Sequence, residues 1–538
     1  MLFLRHLLKD TMNKKNTIHV IPLIFVTALA MIIGVRYLNE PPAYIHAWSQ
    51  ADNYSLAIGF THNGGDLFHP QTLIYNKQQK GYDDPLSLVT ACDFPLHHWV
   101  AGSLMSLTGT TQPWVFRGLT LLVAILGLWA LYLLAFVLTN SRTKALLASA
   151  ITATAPSFAY YSSSFLPTVP SLSFAIGGLL LYALHIQRDK LWMLYASILL
   201  LTLAMMTRAS FAVPWVAVAC FHILRLFRKE ARLRTTWQPF FAGALLFAAW
   251  WLWNAHLRQE YGSLFLASLL PVKSIEEAKY VLQNVHDRWR FHYFQRVHHW
   301  LFVLAAAGAL AVGLMKRKGI WQKTGKLSLW WLMAIWLFGE LLFVMAMSRQ
   351  FCDHDYYFLD SLFLPIVITL VGLLGLLPNP TQGWSRLMMA IAVAFLSVVM
   401  TDEACHMQQV RRSEGVEAFQ TAVRYKHANQ MLETAGLNSR DLRFLTLFSY
   451  PQNTPFVMMD REGYAVMWTD PEVVSHALTF DYDYILVEDE VYRREFEKAP
   501  FQVLPRLKRI GGNGEISVCT LEDSVLHPTA EHFFESAK

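Results

Sequence analysis

Charge is what this sequence has least of. Of its 538 residues only 16% are Asp, Glu, Lys or Arg, against 54% hydrophobic and 14% aromatic. A soluble chain carries about a quarter charged residues, so the deficit excludes an ordinary globular domain in water and points to lipid as solvent. A broad basic patch is also missing. The net charge is +6, and Lys and Arg fall in short runs between apolar segments, which excludes a nucleic-acid surface. Without a glycine-rich phosphate loop, a nucleotide-dependent reaction has no support. Neither a fixed-period repeat nor a low-complexity stretch interrupts the pattern. The five cysteines, Cys92, Cys220, Cys352, Cys405 and Cys519, match no zinc spacing. Bridges Cys92–Cys352 and Cys405–Cys519 stay open beside the reading of free thiols. No small-residue cleavage site follows "MLFLRHLLKDTMNKKN", so the first apolar segment reads as a retained span with a cytoplasmic N-terminus.

What the chain does have is apolar length. A span takes about 20 predominantly apolar residues. Eleven segments meet this: 17–38, 114–138, 145–163, 168–187, 190–206, 209–226, 238–256, 299–315, 327–347, 359–377 and 386–402. With the N-terminus inside, the basic connections 140–144, 187–190, 225–234, 316–326 and 381–386 share one side, as the positive-inside rule requires. The loops 39–113, 257–298 and 348–359, and everything after 402, take the other. Past 402 charge returns and the apolar runs stop. Helical periodicity over 413–437 and 490–499, with strand patterns over 443–449, 483–489, 501–508 and 515–522, reads as a small α/β domain. The expected fold class is a polytopic α-helical membrane protein with about eleven transmembrane helices and a small C-terminal extracytoplasmic α/β domain. The expected division is 1–402, with 39–113 a first extracytoplasmic loop holding interfacial helices, and 403–538.

Polar groups crowd the span ends on the side away from the basic loops. Asp52, Asp93, His97 and His98 lie in the first loop, Arg208 between the fifth and sixth spans, and Arg258 and Glu260 after the seventh. Arg349, Asp353, His354, Asp355, Tyr356 and Tyr357 precede the tenth. Keeping charge at that depth costs a few kcal/mol unless it is paired or hydrated, so such groups are default site candidates. Plainer roles compete: a lone Arg258 snorkels to headgroups, and Trp or Tyr at span ends form the interfacial belt. Asp66, Asp83 and Asp84 read as solvated loop acids, and Glu340 as a mid-span acid paired to a neighbouring helix. Asp52 and Asp93 differ in having Trp, Phe or Pro around them instead of Gly, Ser and Lys.

Six of these stretches, in order, carry a resemblance. "HAWSQADNYSLAIGF" (46–60), "DFPLHHWVAGSLMSLTG" (93–109), "YYSSSFLPTVPSLSF" (160–174), "LAMMTRASFAVPW" (203–215), "WNAHLRQEYGS" (253–263) and "HDYYFLDSLFLP" (354–365) resemble motifs of the GT-C-fold, polyprenyl-phosphate-sugar-dependent glycosyltransferases. That superfamily includes the protein O-mannosyltransferases and the lipid A aminoarabinose transferase. Three positions depart from its pattern: Asp93 where Glu is commoner, Thr168 where Asp is usual, and Arg208 where Lys is common. The Thr168 change weakens any three-carboxylate metal site.

The resemblance implies inverting transfer of a sugar from a polyprenyl-phosphate carrier to a hydroxyl of a glycan, lipid or protein. The setting would be the extracytoplasmic face of the bacterial inner membrane, among membrane lipids and without nucleic acid. Asp52 would take the acceptor proton. Asp93 would orient the acceptor or, with Asp52, hold a divalent cation (Mg, Mn or Ca), a dependence the resemblance leaves open. Arg208, Arg349, His354 and Arg258 would meet the donor phosphate, with Tyr356 and Tyr357 lining the sugar or lipid groove. A transporter or flippase, and a polymerase or ligase of lipid-linked glycans, are the alternative readings. Transport fits less well because repeats are not evident and polar groups favour one face.

Overall fold

The computed structural model describes residues 17–75, 87–231, 233–315, 328–380, 382–413, 416–437, 439, 441–467, 471–493 and 507–521. Asp83, Asp84, the basic connection 316–326, most of the predicted strand 501–508 and the end of the predicted helix 490–499 lie outside them.

Every one of the eleven apolar segments is helical. In chain order the helices begin with α1 (Thr17–Gly34), followed by α2 (Ala47–His62) and α3 (Leu96–Thr108) in the first loop, then α4 (Pro113–Thr139), α5 (Arg142–Thr154), α6 (Pro156–Tyr161) and α7 (Thr168–Arg188). Next come α8 (Leu191–Thr207), α9 (Ala212–Phe227), α10 (Gln238–Tyr261), α11 (Ile275–Asn284), α12 (Arg296–Met315), α13 (Leu329–Ala346), α14 (Phe363–Leu376) and α15 (Gly383–Ser413). Among the described residues eight helices are long and apolar enough to cross a membrane, and α8 and α14 are shorter apolar helices. The segment 145–163 divides into α5 and α6 because Pro156 cannot donate to the preceding turn. α7 is the central helix, buried along most of its length. By contrast α10 and α12 turn Phe241, Leu252, Trp300 and Leu304 outward, the apolar exposure that lipid contact demands. The chain is a multi-pass membrane protein.

The C-terminal region holds a five-stranded mixed sheet. β1 (Phe444–Leu447) lies between β2 (Gly463–Val466) and β3 (Tyr484–Glu488), both parallel to it. β5 (Ile516–Leu521) pairs antiparallel with β3 and with the edge strand β4 (Leu507–Gly512), giving the order β2-β1-β3-β5-β4. β1, β2 and β3 are buried at every position, as strands covered on both faces are. Helices α16 (Val416–Tyr425), α17 (Ala428–Thr434), α18 (Thr454–Met459) and α19 (Pro471–Ala477) pack around it.

This sheet is joined to the first loop. Gly463 N–H donates to the Leu73 carbonyl at 3.1 Å and Tyr75 N–H to the Gly463 carbonyl at 2.9 Å, so the loop covers the β2 edge. One apolar core runs from Tyr54, Ala57 and Ile58 on α2 through Leu73 and Ile74 to Phe444, Phe456 and Leu486. α2 is therefore buried on nearly every face, against the bundle on one side and the sheet on the other. Against α3 it packs so tightly that a Cβ on Gly102 would lie 2.6 Å from the Ala57 carbonyl oxygen. α15 continues past residue 402 to Ser413, carrying Arg411 and Arg412 to this same end of the bundle.

Candidate active site

The chain enters α2 through two left-handed residues, Tyr44 (φ 67°) and His46 (φ 55°). Non-glycine residues hold that conformation where neighbours enforce it, and Asp355 is the neighbour. His46 Nε2 lies 3.0 Å from Asp355 Oδ1, the Tyr161 hydroxyl donates to that oxygen at 2.6 Å, and Arg411 Nη2 donates to Oδ2 at 2.6 Å. Burial pushes the Asp355 carboxyl up, but Arg411 and His46 outweigh it and hold it well below the usual carboxylate range. Asp355 thus ties the entry to α2, helix α6 and helix α15 at one ionised point.

One turn into α2, Asp52 is 3% exposed. Asn453 Nδ2 donates to its Oδ1 at 2.8 Å, and the Trp48 indole donates from the preceding turn. Burial pushes its carboxyl up and these hydrogen bonds pull it back, leaving it at about 7. Asn53, the next residue, accepts from His98 Nε2 at 2.7 Å. His97, by contrast, turns to Thr120 at 2.9 Å, away from the site.

Arg208 follows the last residue of α8 and is locked in place. Its Nη2 and Nε lie 2.6 and 2.7 Å from Asp360 Oδ2, and its guanidinium sits 5.2 and 5.7 Å from the Tyr356 and Tyr357 ring centres. Asp93 faces the same cation. Burial pushes its carboxyl up to about 6, against the pull of Arg208 and Arg258. The carboxylate absent at Thr168 is met from elsewhere, since the Thr168 hydroxyl lies against Asp360. His354 stacks on His46 at 5.3 Å, and burial lowers it to about 4, so it offers a neutral ring to any phosphate. Tyr356 is buried and Tyr357 half-buried beside it.

Asp52, Asp93, Arg208, Arg258, His354, Tyr356 and Tyr357 line one cavity of about 640 Å³. Arg349 does not. It pairs with Glu277 of α11, because the short turn after it directs its side chain outward. A second cavity of about 580 Å³ shares the Asp93, Arg208, Arg258 and Tyr357 wall and continues along the apolar side chains of Trp251, Leu269, Phe343 and Met347. The main cavity also takes in Asn254, from the stretch 253–263, and two residues that had no signal in the sequence, Arg288 and Tyr450 from the C-terminal region. Arg288 stacks on Trp289, 4.3 Å from its ring centre.

The donor set argues against a metal centre. Asp52 has an amide and an indole against it, and Asp93 two guanidinium groups. Among the described residues no three His, Cys, Asp or Glu side chains group as metal ligands. The cavity therefore does not fit the Mg, Mn or Ca ion considered for Asp52 and Asp93. None of the five cysteines forms a disulfide, and Cys92 lies in the cavity wall. Asp66 is a solvated acid paired to His69 at 2.8 Å. Glu340 finds its partner one turn back on its own helix, in Trp336 at 2.8 Å, and not on a neighbouring one.

Residues 90–253 match the family model described as dolichyl-phosphate-mannose-protein mannosyltransferase. No curated protein sequence matches the chain. Among solved structures, ArnT from Cupriavidus metallidurans bound to undecaprenyl phosphate is similar over 94% of this chain and 99% of its own, at 11% identity and a TM-score of 0.60. The Archaeoglobus fulgidus oligosaccharyltransferase complexed with Zn and sulfate is similar over 87% of this chain and 68% of its own, at 11% identity and a TM-score of 0.50. The mycobacterial arabinofuranosyltransferase AftD is similar over 94% of this chain and 42% of its own, at 14% identity and a TM-score of 0.50. The chain therefore has the GT-C fold along nearly its whole length, with the mannosyltransferase family pattern over residues 90–253.

Proposed function

We propose that this protein is an inverting glycosyltransferase that moves a sugar from a polyprenyl-phosphate carrier to an acceptor hydroxyl. The reaction would take place at the extracytoplasmic face of a bacterial cytoplasmic membrane. One observation carries the reading: a single cavity unites Asp52 with Arg208, Arg258 and Arg288 and shares a wall with a second cavity lined in part by apolar side chains. A lipid-linked, phosphate-bearing donor needs that combination. A relative of the same fold bound to undecaprenyl phosphate supports the donor class.

In the proposed step Asp52 accepts the hydroxyl proton as the acceptor oxygen attacks the anomeric carbon from the face opposite the phosphate. The bond from that carbon to the phosphate oxygen breaks, and its electron pair leaves with the lipid phosphate. A phosphate departs as a stable anion without an acid, so catalysis reduces to a base, cations and orientation. An Asp near pH 7 is basic enough to accept the proton and still substantially ionised. Arg258 and Arg288 receive the developing charge. Arg208, fixed by Asp360 and two tyrosine rings, gives that end of the cavity a cation that does not move. Asp93 orients the acceptor.

The test supplies purified protein with a radiolabelled polyprenyl-phosphate sugar and a panel of hydroxyl acceptors. Wild type transfers label, and Asp52→Asn loses about 100-fold or more. A correctly folded Asp52→Asn at the wild-type rate removes Asp52 from the base role. Label crossing vesicle membranes with no transfer to any acceptor replaces the enzyme reading with a flippase.

A further inference from the structure

We infer that Asn453 is a positioning residue for Asp52, so that the C-terminal region completes the site that the membrane-embedded part begins. The inference rests on the proposed role of Asp52 as base.

Three observations on Asn453 converge. First, it precedes α18 as the N-cap, where an Asn side chain ordinarily accepts a helix N–H; this one makes no cap hydrogen bond. Its amide nitrogen instead donates to Asp52 Oδ1 at 2.8 Å, across 401 positions of sequence. Second, Asn453 is fully buried, so the bond forms where water does not compete. Third, its backbone is held rigidly. Phe456 and Met459 of α18 lie in the core shared with α2, and His62 at the end of α2 hydrogen-bonds Asp460 at 3.1 Å and Glu462 at 2.8 Å just beyond α18.

An ionised carboxylate is acceptor-only, so the amide must present Nδ2 to it. That bond favours the charged form of Asp52 and holds its Oδ1 in place. Removing the donor has a signed consequence. Asp52 becomes harder to ionise, and the acid limb of the pH–rate profile moves up by about one unit, the order of one hydrogen bond to a charged group. With Asp52 starting at about 7, transfer at pH 7 falls about fivefold and recovers by about pH 9. A merely structural role predicts loss at every pH.

The experiment compares Asn453→Leu, which keeps the branched shape without the donor, with Asn453→Ala, in case the larger leucine disturbs packing. The pH dependence of kcat/KM is measured for both. A raised limb with recovery at high pH supports the inference; an unmoved limb in a folded variant overturns it. In parallel the Asp52 carboxyl is titrated by infrared difference spectroscopy, its band assigned by subtracting Asp52→Asn. A band that titrates higher in Asn453→Leu upholds the pairing even if wild type transfers no sugar, which would sink only the proposed activity. A band that does not move overturns the pairing.

Discussion

Replacing Asp355 should cost this protein more than replacing Asp52. The Asp355 and Arg411 side chains are both fully excluded from solvent, with Nη2 and Oδ2 at 2.6 Å. Asp355→Ala leaves the Arg411 guanidinium buried without its counter-charge, which costs about 3–5 kcal/mol. It also strips an acceptor from Tyr161 and His46, about 1 kcal/mol or more apiece. The damage reaches the site because His46 sets the left-handed entry to α2. A control separates charge from shape: the double variant Asp355→Leu/Arg411→Leu removes both charges and should regain much of the loss. Unfolding midpoints in detergent at one fixed scan rate rank the three proteins without assuming reversibility. The pH dependence follows from the depressed carboxyl. Its stabilisation is present above the unfolded Asp value of about 3.9 and is lost only as pH falls through the still lower folded value, so it is constant from pH 5 to 8. A single variant as stable as wild type, or a double variant as unstable as the worse single, refutes this account.

Transfer by the wild type should rise with pH through about 7, where Asp52 ionises, and a profile flat from pH 5 to 9 would remove Asp52 as base. Arg208→Lys cannot reproduce the two contacts to Asp360 or the stacking on both tyrosines; about a tenfold rise in KM for the lipid donor is expected, and a larger one for Arg208→Gln, with unchanged KM refuting the role. Burial pulls His62 down, but Asp460 and Glu462 raise it to about 9, so its clamp on the C-terminal region is complete below about 6.5 and lost as pH rises through about 9. Limited proteolysis should therefore cut near residues 460–466 faster at pH 9.5 than at 7, and His62→Leu should abolish that difference. Gly102→Ala would place a Cβ 2.6 Å from the Ala57 carbonyl oxygen and force α2 from α3; a loss of about 1–3 kcal/mol in unfolding assays is expected, and an unshifted midpoint counts against the close packing.

Hydrophobic length made the bundle legible, because a span is a one-dimensional property of sequence. The break that Pro156 makes between α5 and α6 was not read from the single apolar segment 145–163, whereas strand-like runs marked β1, β3 and β5. β2 escaped because four residues, "GYAV", are too few for periodicity and its pairing is with distant segments. Within the cavity, Asp52, Asp93, Arg208, Arg258, His354, Tyr356 and Tyr357 announced themselves as polar or aromatic groups at span ends. Arg349 did so too, yet the turn after it sends the side chain to Glu277. Asp360 was hidden by its position at the start of a long apolar run. Asn453 offered nothing to read: a neutral amide in a loop becomes significant only through a contact 401 residues away.

The apolar core shared by α2 and the sheet imposes an order of assembly. Ala57 and Ile58 enter the membrane interface early in synthesis, while Phe444 and Phe456, which cover them, are among the last hundred residues made. Until those residues have been made and folded back, α2 lacks the apolar partners that bury it. A ribosome that stalls after α15 would thus release a product that is inserted yet unfinished, and quality-control proteases would find it by that uncovered helix.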